Sequence, residues 1–510
     1  MSTPIESVAT TTSGRVRGLA VDGIACYRGV PYAAPPKGPR RFALATPAPT
    51  WDGVRDATRP GSMAPQHVRR FPGIDMRPLL PETGWTGDHD YLHVNIWTPQ
   101  HHDGGLPVMV YIHGGAFIAG AADCPAFDGT SFARSGVVLM TVSYRLGAEG
   151  YSVLPDAPTN LGLRDQIAAL QWVQNNAGAF GGDPGNVTVF GESAGAMSIA
   201  TLLNSRAADG LFRRAIVQSG HDELPRDAAV GRRLTERIAA ILSVPATAAA
   251  FREVPVPQLL DAQATLLAQP LDLADNGRDP AYGAAAYGMT IDDDVACASR
   301  ERLTTSSVDL LVGTTKAEMN LYGFSSGDLD AVTDTEAVAR LAASHPHARQ
   351  VLAGYGLGQP GAKPGRALVD ALTDLLFRSP ARRLALRHGG PTYVYEFEWE
   401  SPAFDGRLGA CHGLDLPFVF HTLKTAQGPQ GLVGGEPPVA LADAMHESWV
   451  RFAHTGDPGW APYGPGRRLM RFGGAFGAVP SRLGEDEAPL AHTAAVGGRA
   501  SDATAGCAIG

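Results

Sequence analysis

The stretch NVTVFGESAGAMSIATLL, residues 186–203, contains the pattern that decides the fold. The apolar run before Gly191 predicts a buried strand, and the small residues after Gly195 predict a helix. Ser193 stands between them in a G-x-S-x-G motif. A serine at such a tight turn exposes its hydroxyl at the helix N-terminus, where the helix dipole favours negative charge. The stretch therefore predicts a nucleophile elbow with Ser193 at its apex.

Further apolar runs on both sides of this stretch predict buried strands of a parallel sheet. These runs are PVMVYIH (107–113), GVVLMTVSYR (136–145), RAIVQSG (214–220), VDLLVGTT (308–315) and TYVYEFEW (392–399). Helical periodicity covers residues 160–180 and 438–455, between the strands. Strands that alternate with helices predict an α/β fold with right-handed crossovers around a mostly parallel sheet.

A glycine-rich loop upstream of the serine is the second chemical signal. The run HGGAF, residues 113–117, follows a predicted strand and matches an HGGG-type loop except at Ala116. Small residues let backbone N–H groups approach a substrate oxygen and stabilise an oxyanion. We expect the N–H groups of Gly115, Ala116 and Ala194 to form this oxyanion hole.

A nucleophilic serine needs a base, usually histidine, and the base needs an acid. On this fold the chain order is serine, acid, histidine. His412 lies among small residues after the last predicted strand, and His388, near a predicted helix end, is the alternative. Glu318 follows a predicted strand, whereas the alternatives Asp292–Asp294 lie in a region without strands. Spacing favours His412 over His388 and leaves the acid open.

Composition excludes several other classes of function. The net charge of −9 disfavours a nucleic-acid partner. The five cysteines are scattered without a CxxC pair, so we predict free thiols, no metal site and no cofactor. The N-terminus lacks a signal-peptide pattern, and no apolar run approaches the ~18 residues of a membrane helix. We therefore expect a cytoplasmic protein without a membrane partner.

The chain is expected to form a single domain over residues 1–510. Two Ala-rich regions, 221–306 and 324–390, have few strand signals and predict helical insertions over one end of the sheet. His221 opens the first insertion, where we expect a surface histidine. The tail at 494–510 lacks hydrophobic periodicity, which predicts disorder.

Several blocks in order resemble the type-B carboxylesterase family, which includes bacterial p-nitrobenzyl-esterase-like enzymes and the cholinesterases. The blocks include YRGVPYAAPPKGPRRF (27–42), LHVNIWTP (92–99), YIHGGAFIAG (111–120), NLGLRDQIAALQWVQNNAGAFGGDPGNVTVFGESAGA (160–196), HGLDLPFVF (412–420) and WVRFAHTGDP (449–458). The resemblance implies an α/β-hydrolase fold with helical insertions over the active site. It also implies a serine carboxylesterase for small uncharged esters that needs no cofactor, as a monomer or homodimer.

The same resemblance implies roles for particular residues. Ser193, Glu318 and His412 would be the catalytic triad, and the three oxyanion-hole N–H groups are those named above. Glu192 and Ser219 would stand beside the triad as a second layer.

Three positions depart from the family pattern. Met319 follows Glu318, where the family usually has glycine. Tyr91 stands where the family often has a disulfide cysteine, which favours an intracellular enzyme. Pro81 occupies the position of the choline-stacking tryptophan of cholinesterases, so a cation–π site for choline is not expected.

Two alternative functions stay open at the level of sequence. The same triad serves lactonases, carbamate or amide hydrolases and biosynthetic acyltransferases, because the first half-reaction is shared. A non-catalytic binding protein on this fold is less favoured, because the expected catalytic residues are all present.

Overall fold

The computed structural model describes residues 3–274, 278–325, 327, 329–464 and 466–473, and the backbone of 477–480. The tail predicted to be disordered, residues 494–510, and Cys507 lie outside the described residues. The four other cysteines are free thiols, as their scattered spacing predicts.

Within these ranges, thirteen strands form a single sheet. The strands are β1 (Ile5–Thr11), β2 (Gly14–Val21), β3 (Ile24–Pro31), β4 (Val54–Asp56), β5 (His93–Pro99), β6 (Leu106–Ile112), β7 (Val138–Val142), β8 (Gly182–Glu192), β9 (Arg214–Gln218), β10 (Asp309–Thr315), β11 (Thr392–Phe397), β12 (Arg468–Phe472) and β13 (Gly477–Pro480). Their spatial order is β1-β2-β3-β5-β7-β6-β8-β9-β10-β11-β12-β13, with β4 beside β2.

The centre of the sheet is parallel and its edges are antiparallel. Every pair from β7 through β6, β8, β9, β10 and β11 to β12 is parallel. The pairs from β1 to β5, β5 with β7, and β12 with β13 are antiparallel. The fold is therefore the predicted α/β-hydrolase fold with a mostly parallel sheet.

Helices cover both faces of this sheet. They are α1 (Thr130–Arg134), α2 (Gly147–Tyr151), α3 (Leu161–Asn176), α4 (Ala194–Leu202), α5 (Ala228–Leu242), α6 (Ala248–Glu253), α7 (Val256–Leu267), α8 (Glu301–Thr304), α9 (Asn320–Ser325), α10 (Asp334–Ala342), α11 (Ala348–Gly354), α12 (Pro364–Thr373), α13 (Ser379–Arg387), α14 (Leu416–Val419) and α15 (Val439–Thr455). A π-helical turn, Asp374–Arg378, joins α12 to α13. None of the helices in the described ranges is long and apolar enough to cross a membrane.

Alternation along the central strands divides the core into two layers. In β6, Val108 and Val110 pack into one hydrophobic cluster, whereas Met109 and Tyr111 pack into the other. Successive side chains of a strand point to opposite faces, so a strand buried on both faces must be apolar throughout. This is why the central strands read as unbroken apolar runs.

Both predicted insertions contain several helices. Helices α5 to α8 lie within 221–306, and α10 to α13 lie within 324–390. The first insertion also contains a long irregular stretch between α7 and α8. Division of the chain into one domain with two insertions remains our proposal.

Candidate active site

Ser193 occupies a strained turn between β8 and α4. Its backbone takes φ 55° and ψ −123°, which costs a non-glycine residue about 1–3 kcal/mol. The flanking glycines make the turn possible. A Cβ at Gly191 would lie 2.6 Å from the carbonyl oxygen of Ile112, and one at Gly195 would lie 2.0 Å from it. The turn therefore has the geometry of a nucleophile elbow.

His412 and Glu318 form a buried hydrogen-bonded pair. The distance between His412 Nδ1 and Glu318 Oε2 is 2.6 Å. The other carboxylate oxygen, Oε1, accepts hydrogen bonds of 2.7 Å from Ser219 Oγ and from the Thr315 N–H. Because Glu318 is fully buried and both its oxygens are bonded, its orientation is fixed. The ring of His412 is thereby fixed as well.

The second ring nitrogen of His412 faces the carboxylate of Glu192. Nε2 lies 3.0 Å from Glu192 Oε1, but the two atoms are not aligned as a hydrogen bond. Among the described residues Nε2 has no hydrogen-bond partner. Ser193, Glu192 and His412 line the same cavity. The structure thus brings the predicted nucleophile and the predicted base to one place.

Burial and charge shift the pKa values of this pair. Burial raises the pKa of Glu192 to about 8, although the charge of His412 opposes this. Burial disfavours the charged form of His412, but the carboxylates of Glu192 and Glu318 outweigh burial and raise its pKa well above the usual value. Perturbed groups in a cavity are typical of an active site.

The loop after β6 presents free N–H groups next to Ser193. A Cβ at Gly114 would lie 3.0 Å from Ser193 Cβ, which shows how closely the loop approaches the serine. Gly115 has φ 117° and Ala116 has φ 55°. Neither N–H donates to a backbone partner among the described residues. Ala194 is the first residue of α4, where N–H groups lack helical partners.

The buried side chain of His113 contacts the backbone of this loop. Its Nδ1 lies 2.8 Å from the carbonyl oxygen of Gly114, and its ring stacks on Tyr144 with 4.5 Å between centroids. The Tyr144 hydroxyl donates to the His113 carbonyl oxygen at 2.8 Å. Burial lowers the pKa of His113 to about 4, so the ring stays neutral and serves packing.

Two aromatic rings that the sequence did not single out hold His412 in place. The ring of Phe377 lies 4.8 Å from that of His412, and the ring of Tyr322 lies 5.7 Å from it. Phe377 belongs to the π-helical turn between α12 and α13. Such turns recur at functional sites because they re-aim a side chain. A π-helical turn contains one residue more than an α-helical turn, and the apolar pattern of the sequence does not show where such a turn occurs. No sequence signal therefore pointed to Phe377.

A further buried carboxylate, Asp415, lies behind the site. It accepts hydrogen bonds from Gln218 Nε2 at 2.9 Å and from the Tyr395 hydroxyl at 3.0 Å. Burial raises the pKa of Asp415 to about 6. The backbone carbonyl oxygen of Gln218 also accepts a hydrogen bond of 2.9 Å from the N–H of Ser193. The strand end of β9 therefore links the elbow to this second carboxylate.

The alternative base and acids have other partners. His388 caps α13, and its Nδ1 lies 2.9 Å from Thr392 Oγ1. Asp292 accepts hydrogen bonds from Asn160 and Thr159, both at 2.7 Å, before the start of α3. The contacts of Asp292 join the region 221–306 to the start of α3.

The expectation that His221 lies on the surface is wrong. The side chain is 1% exposed, and its Nδ1 accepts the N–H of Glu223 at 3.0 Å. The reason is that the acidic neighbours are bound by arginines of the second insertion. Arg387 contacts Asp222 at 2.7 Å, and Arg383 contacts Glu223 at 2.7 Å. These ion pairs hold the second insertion against this segment.

The cavity above Ser193 is small and largely apolar. Its volume is about 40 Å³. Apart from the polar groups at its floor, most of its wall is hydrophobic, from Phe71, Met76, Leu79, Leu80, Phe127, Leu321, Tyr322 and Leu416. Besides Glu192 and His412, Arg69 is the charged residue that lines this cavity. The cavity suits a small acyl or alcohol group rather than a large one.

The chain is similar to known proteins along most of its length. The model of the carboxylesterase family matches residues 5–465. Para-nitrobenzyl esterase of Bacillus subtilis (strain 168) is 35% identical over 471 residues, which cover 88% of this chain and 90% of that protein. Phenmedipham hydrolase of Pseudarthrobacter oxydans is 33% identical, with coverage of 88% and 90%.

Solved structures give the same result. A PNB esterase superposes with a TM-score of 0.81 at 31% identity, covering 95% of this chain and 99% of that chain. A carboxylesterase of Geobacillus stearothermophilus also superposes with a TM-score of 0.81, at 32% identity, with coverage of 94% and 99%.

Proposed function

Because the chain belongs to the carboxylesterase family and is a serine carboxylesterase that hydrolyses esters, we propose that Ser193, Glu318 and His412 are its catalytic triad. The observation that carries this proposal is the position of His412. One ring nitrogen is bound by Glu318 at 2.6 Å, the other lies 3.0 Å from Glu192, and His412, Glu192 and Ser193 line one cavity.

The reaction would proceed in two acyl-transfer steps. His412 Nε2 takes the proton of Ser193 Oγ as this oxygen attacks the ester carbonyl. The N–H groups of Gly115, Ala116 and Ala194 stabilise the tetrahedral oxyanion. The C–O bond to the alcohol then breaks, and His412 returns the proton to the leaving alkoxide.

The second step repeats the first with water. His412 takes a proton from a water molecule, whose oxygen attacks the acyl carbon of the acyl-enzyme. Collapse of the second tetrahedral intermediate breaks the bond to Ser193 Oγ, His412 returns the proton to this oxygen, and the acid is released. Two further side chains would be positioning residues. Ser219 would act through Glu318, and Glu192 would act through His412.

The small apolar cavity supports esters whose reacting end is short and uncharged. We expect p-nitrophenyl acetate and butyrate to be hydrolysed faster than esters with long acyl chains. We also propose a cytoplasmic enzyme, a monomer or homodimer, and size-exclusion chromatography with light scattering distinguishes these two states.

Covalent labelling tests the proposed triad. A serine-directed phosphonate should stop turnover of p-nitrophenyl butyrate, and mass spectrometry of the peptides should find one adduct, on Ser193. The variant Ser193→Ala should lose activity by about 10⁴-fold or more and retain the wild-type circular dichroism spectrum. An adduct on a different residue, or wild-type turnover by Ser193→Ala, would refute the proposal.

Acyl transfer to an alcohol is the alternative use of the same acyl-enzyme. Adding an alcohol acceptor to the assay and analysing products decides between the two. Free acid as the main product supports hydrolysis, whereas a new ester as the main product supports a transferase.

A further inference from the structure

Arg69 lies at the border between the catalytic cavity and a larger outer groove. The groove has a volume of about 450 Å³ and is formed mainly by residues 68–77 and 80–82. Arg69, Phe71, Met76 and Leu80 line both spaces. The groove therefore adjoins the cavity at these four residues, and Arg69 lies where a substrate too long for the cavity would meet the groove.

Two aromatic rings hold the guanidinium of Arg69 in place. Its central carbon lies 5.1 Å from the ring centroid of Phe71 and 6.0 Å from that of Tyr322. Tyr322 in turn packs on the ring of His412. Cation–π contacts of this kind do not use the N–H donors of the guanidinium, which match the two oxygens of a carboxylate. The stacking thus orients Arg69 without using its donors.

The charge of Arg69 has no acidic partner in the described ranges. The two acidic residues of the groove pair with another arginine: Arg77 contacts Asp75 at 2.7 Å and Glu82 at 3.8 Å. Arg70, which is exposed, also lines the groove without an acidic partner in those ranges. The groove therefore has a positive excess, although the whole protein has a net charge of −9. A cleft of one sign attracts ligands of the opposite sign.

We propose that Arg69 is a specificity-determining residue that binds an anionic group at the outer end of the ester. This inference rests on the proposed function, because it concerns the substrate of the same site. The substrate class is a carboxylic ester whose reacting end is short and uncharged and whose far end carries a carboxylate. That far end belongs to either the acyl part or the alcohol part, and the experiment distinguishes the two.

Matched pairs of esters test the proposal. The first pair is 4-carboxyphenyl butyrate and its neutral isostere 4-carbamoylphenyl butyrate, with the charge in the alcohol. The second pair is monophenyl adipate and phenyl 5-carbamoylpentanoate, with the charge in the acyl group. For each pair, kcat/KM is measured with the wild-type enzyme and with Arg69→Gln and Arg69→Lys. The quantity of interest is the ratio of kcat/KM for the anionic ester to that for the neutral ester.

We expect Arg69→Gln to lower this ratio about tenfold for at least one pair, mainly through KM, because a charge-assisted hydrogen bond is lost. Arg69→Lys should keep part of the ratio, because the charge remains but the two-pronged geometry is lost. The pair that responds identifies the part of the substrate that carries the charge.

Arg70→Gln is the matched control, because it removes the same charge from the groove without touching the cavity wall. It should change the ratio less than twofold. Equal effects of Arg69→Gln and Arg70→Gln, or no change of the ratio in either pair, would overturn the proposal. If the wild-type enzyme hydrolyses neither these four esters nor p-nitrophenyl butyrate, the proposed function itself fails; if it hydrolyses only p-nitrophenyl butyrate, the proposal for Arg69 is overturned.

Discussion

Nε2 of His412, the atom that would receive the serine proton, lies 3.0 Å from the carboxylate of Glu192. A base must be neutral to act, and a nearby negative charge favours its protonated form. The raised pKa of His412 has Glu192 as its largest favourable cause. The contact between these two residues therefore bears on the pH at which the enzyme begins to work.

Replacing Glu192 with glutamine should move the acid limb of the pH profile to lower pH. Where Glu192 is ionised, the variant removes its negative charge, so the pKa of His412 falls and the neutral base persists in more acidic solution. We expect kcat/KM for p-nitrophenyl butyrate at pH 7 to change by about tenfold or less. The profile is measured between pH 5 and 9, and an unchanged or raised midpoint would show that Glu192 does not control His412.

Ser219→Ala should slow catalysis without affecting substrate binding. The alanine removes the 2.7 Å hydrogen bond to Glu318 Oε1, which leaves the Thr315 N–H as the donor to that oxygen. We expect kcat to fall about tenfold, because a hydrogen bond to a charged group is worth ~1.5 kcal/mol or more, while KM stays nearly constant.

Ser198→Ala is the control for this variant. Ser198 is also fully buried, but its hydroxyl donates to the Ala194 carbonyl oxygen within helix α4. Its loss should affect the unfolding temperature more than kcat. Similar losses of kcat in both variants would argue that Ser219 matters only for packing.

Gly195→Ala should destabilise the fold. The added Cβ would meet the carbonyl oxygen of Ile112 at 2.0 Å, so the elbow and strand β6 would have to separate. We expect the free energy of unfolding in urea to fall by about 3 kcal/mol or more. Gly178→Ala is the matched control, since a Cβ there meets nothing within 4 Å. It should leave stability within about 1 kcal/mol of the wild type, and equal losses would contradict the steric argument.

Phe377→Leu should lower kcat, because the leucine no longer holds the ring of His412 at the 4.8 Å contact. Phe251→Leu offers a comparison, since Phe251 is equally buried but packs on Phe42 instead. Both variants should lower the unfolding temperature, and only Phe377→Leu should lower kcat for p-nitrophenyl butyrate, by about tenfold. If the two variants lower kcat equally, the contact with His412 has no catalytic importance.

The sequence predicted the central strands and the elbow because each has a strong local pattern. The predicted run 308–315 is strand β10, Asp309–Thr315, and the predicted helix 438–455 is α15, Val439–Thr455. Strands β1 to β4, at one edge of the sheet, were not predicted. The alternating burial of β1 and β2, with several exposed positions, gives a weaker signal than an unbroken apolar run.

Long-range relations were harder to predict than local structure. Spacing favoured His412 over His388 only weakly, because the answer depends on how the loop after β11 folds back over Glu318. The stacking of Arg69 on Tyr322 joins segments more than 250 residues apart. The hydrophobic periodicity of a single chain contains no information about such contacts.

The cavity wall and the reacting groups come from different parts of the chain, which affects how the enzyme can acquire new substrates. Ser193 and Glu318 stand just after strands β8 and β10, and the buried hydrogen bonds from Ser219 and to His412 fix Glu318 in the site. Much of the wall comes from the segment 69–80, which lies outside every strand and helix. Random variation concentrated on that segment can therefore diversify substrate range while the chemical step is retained, which makes it the natural target for a directed-evolution library.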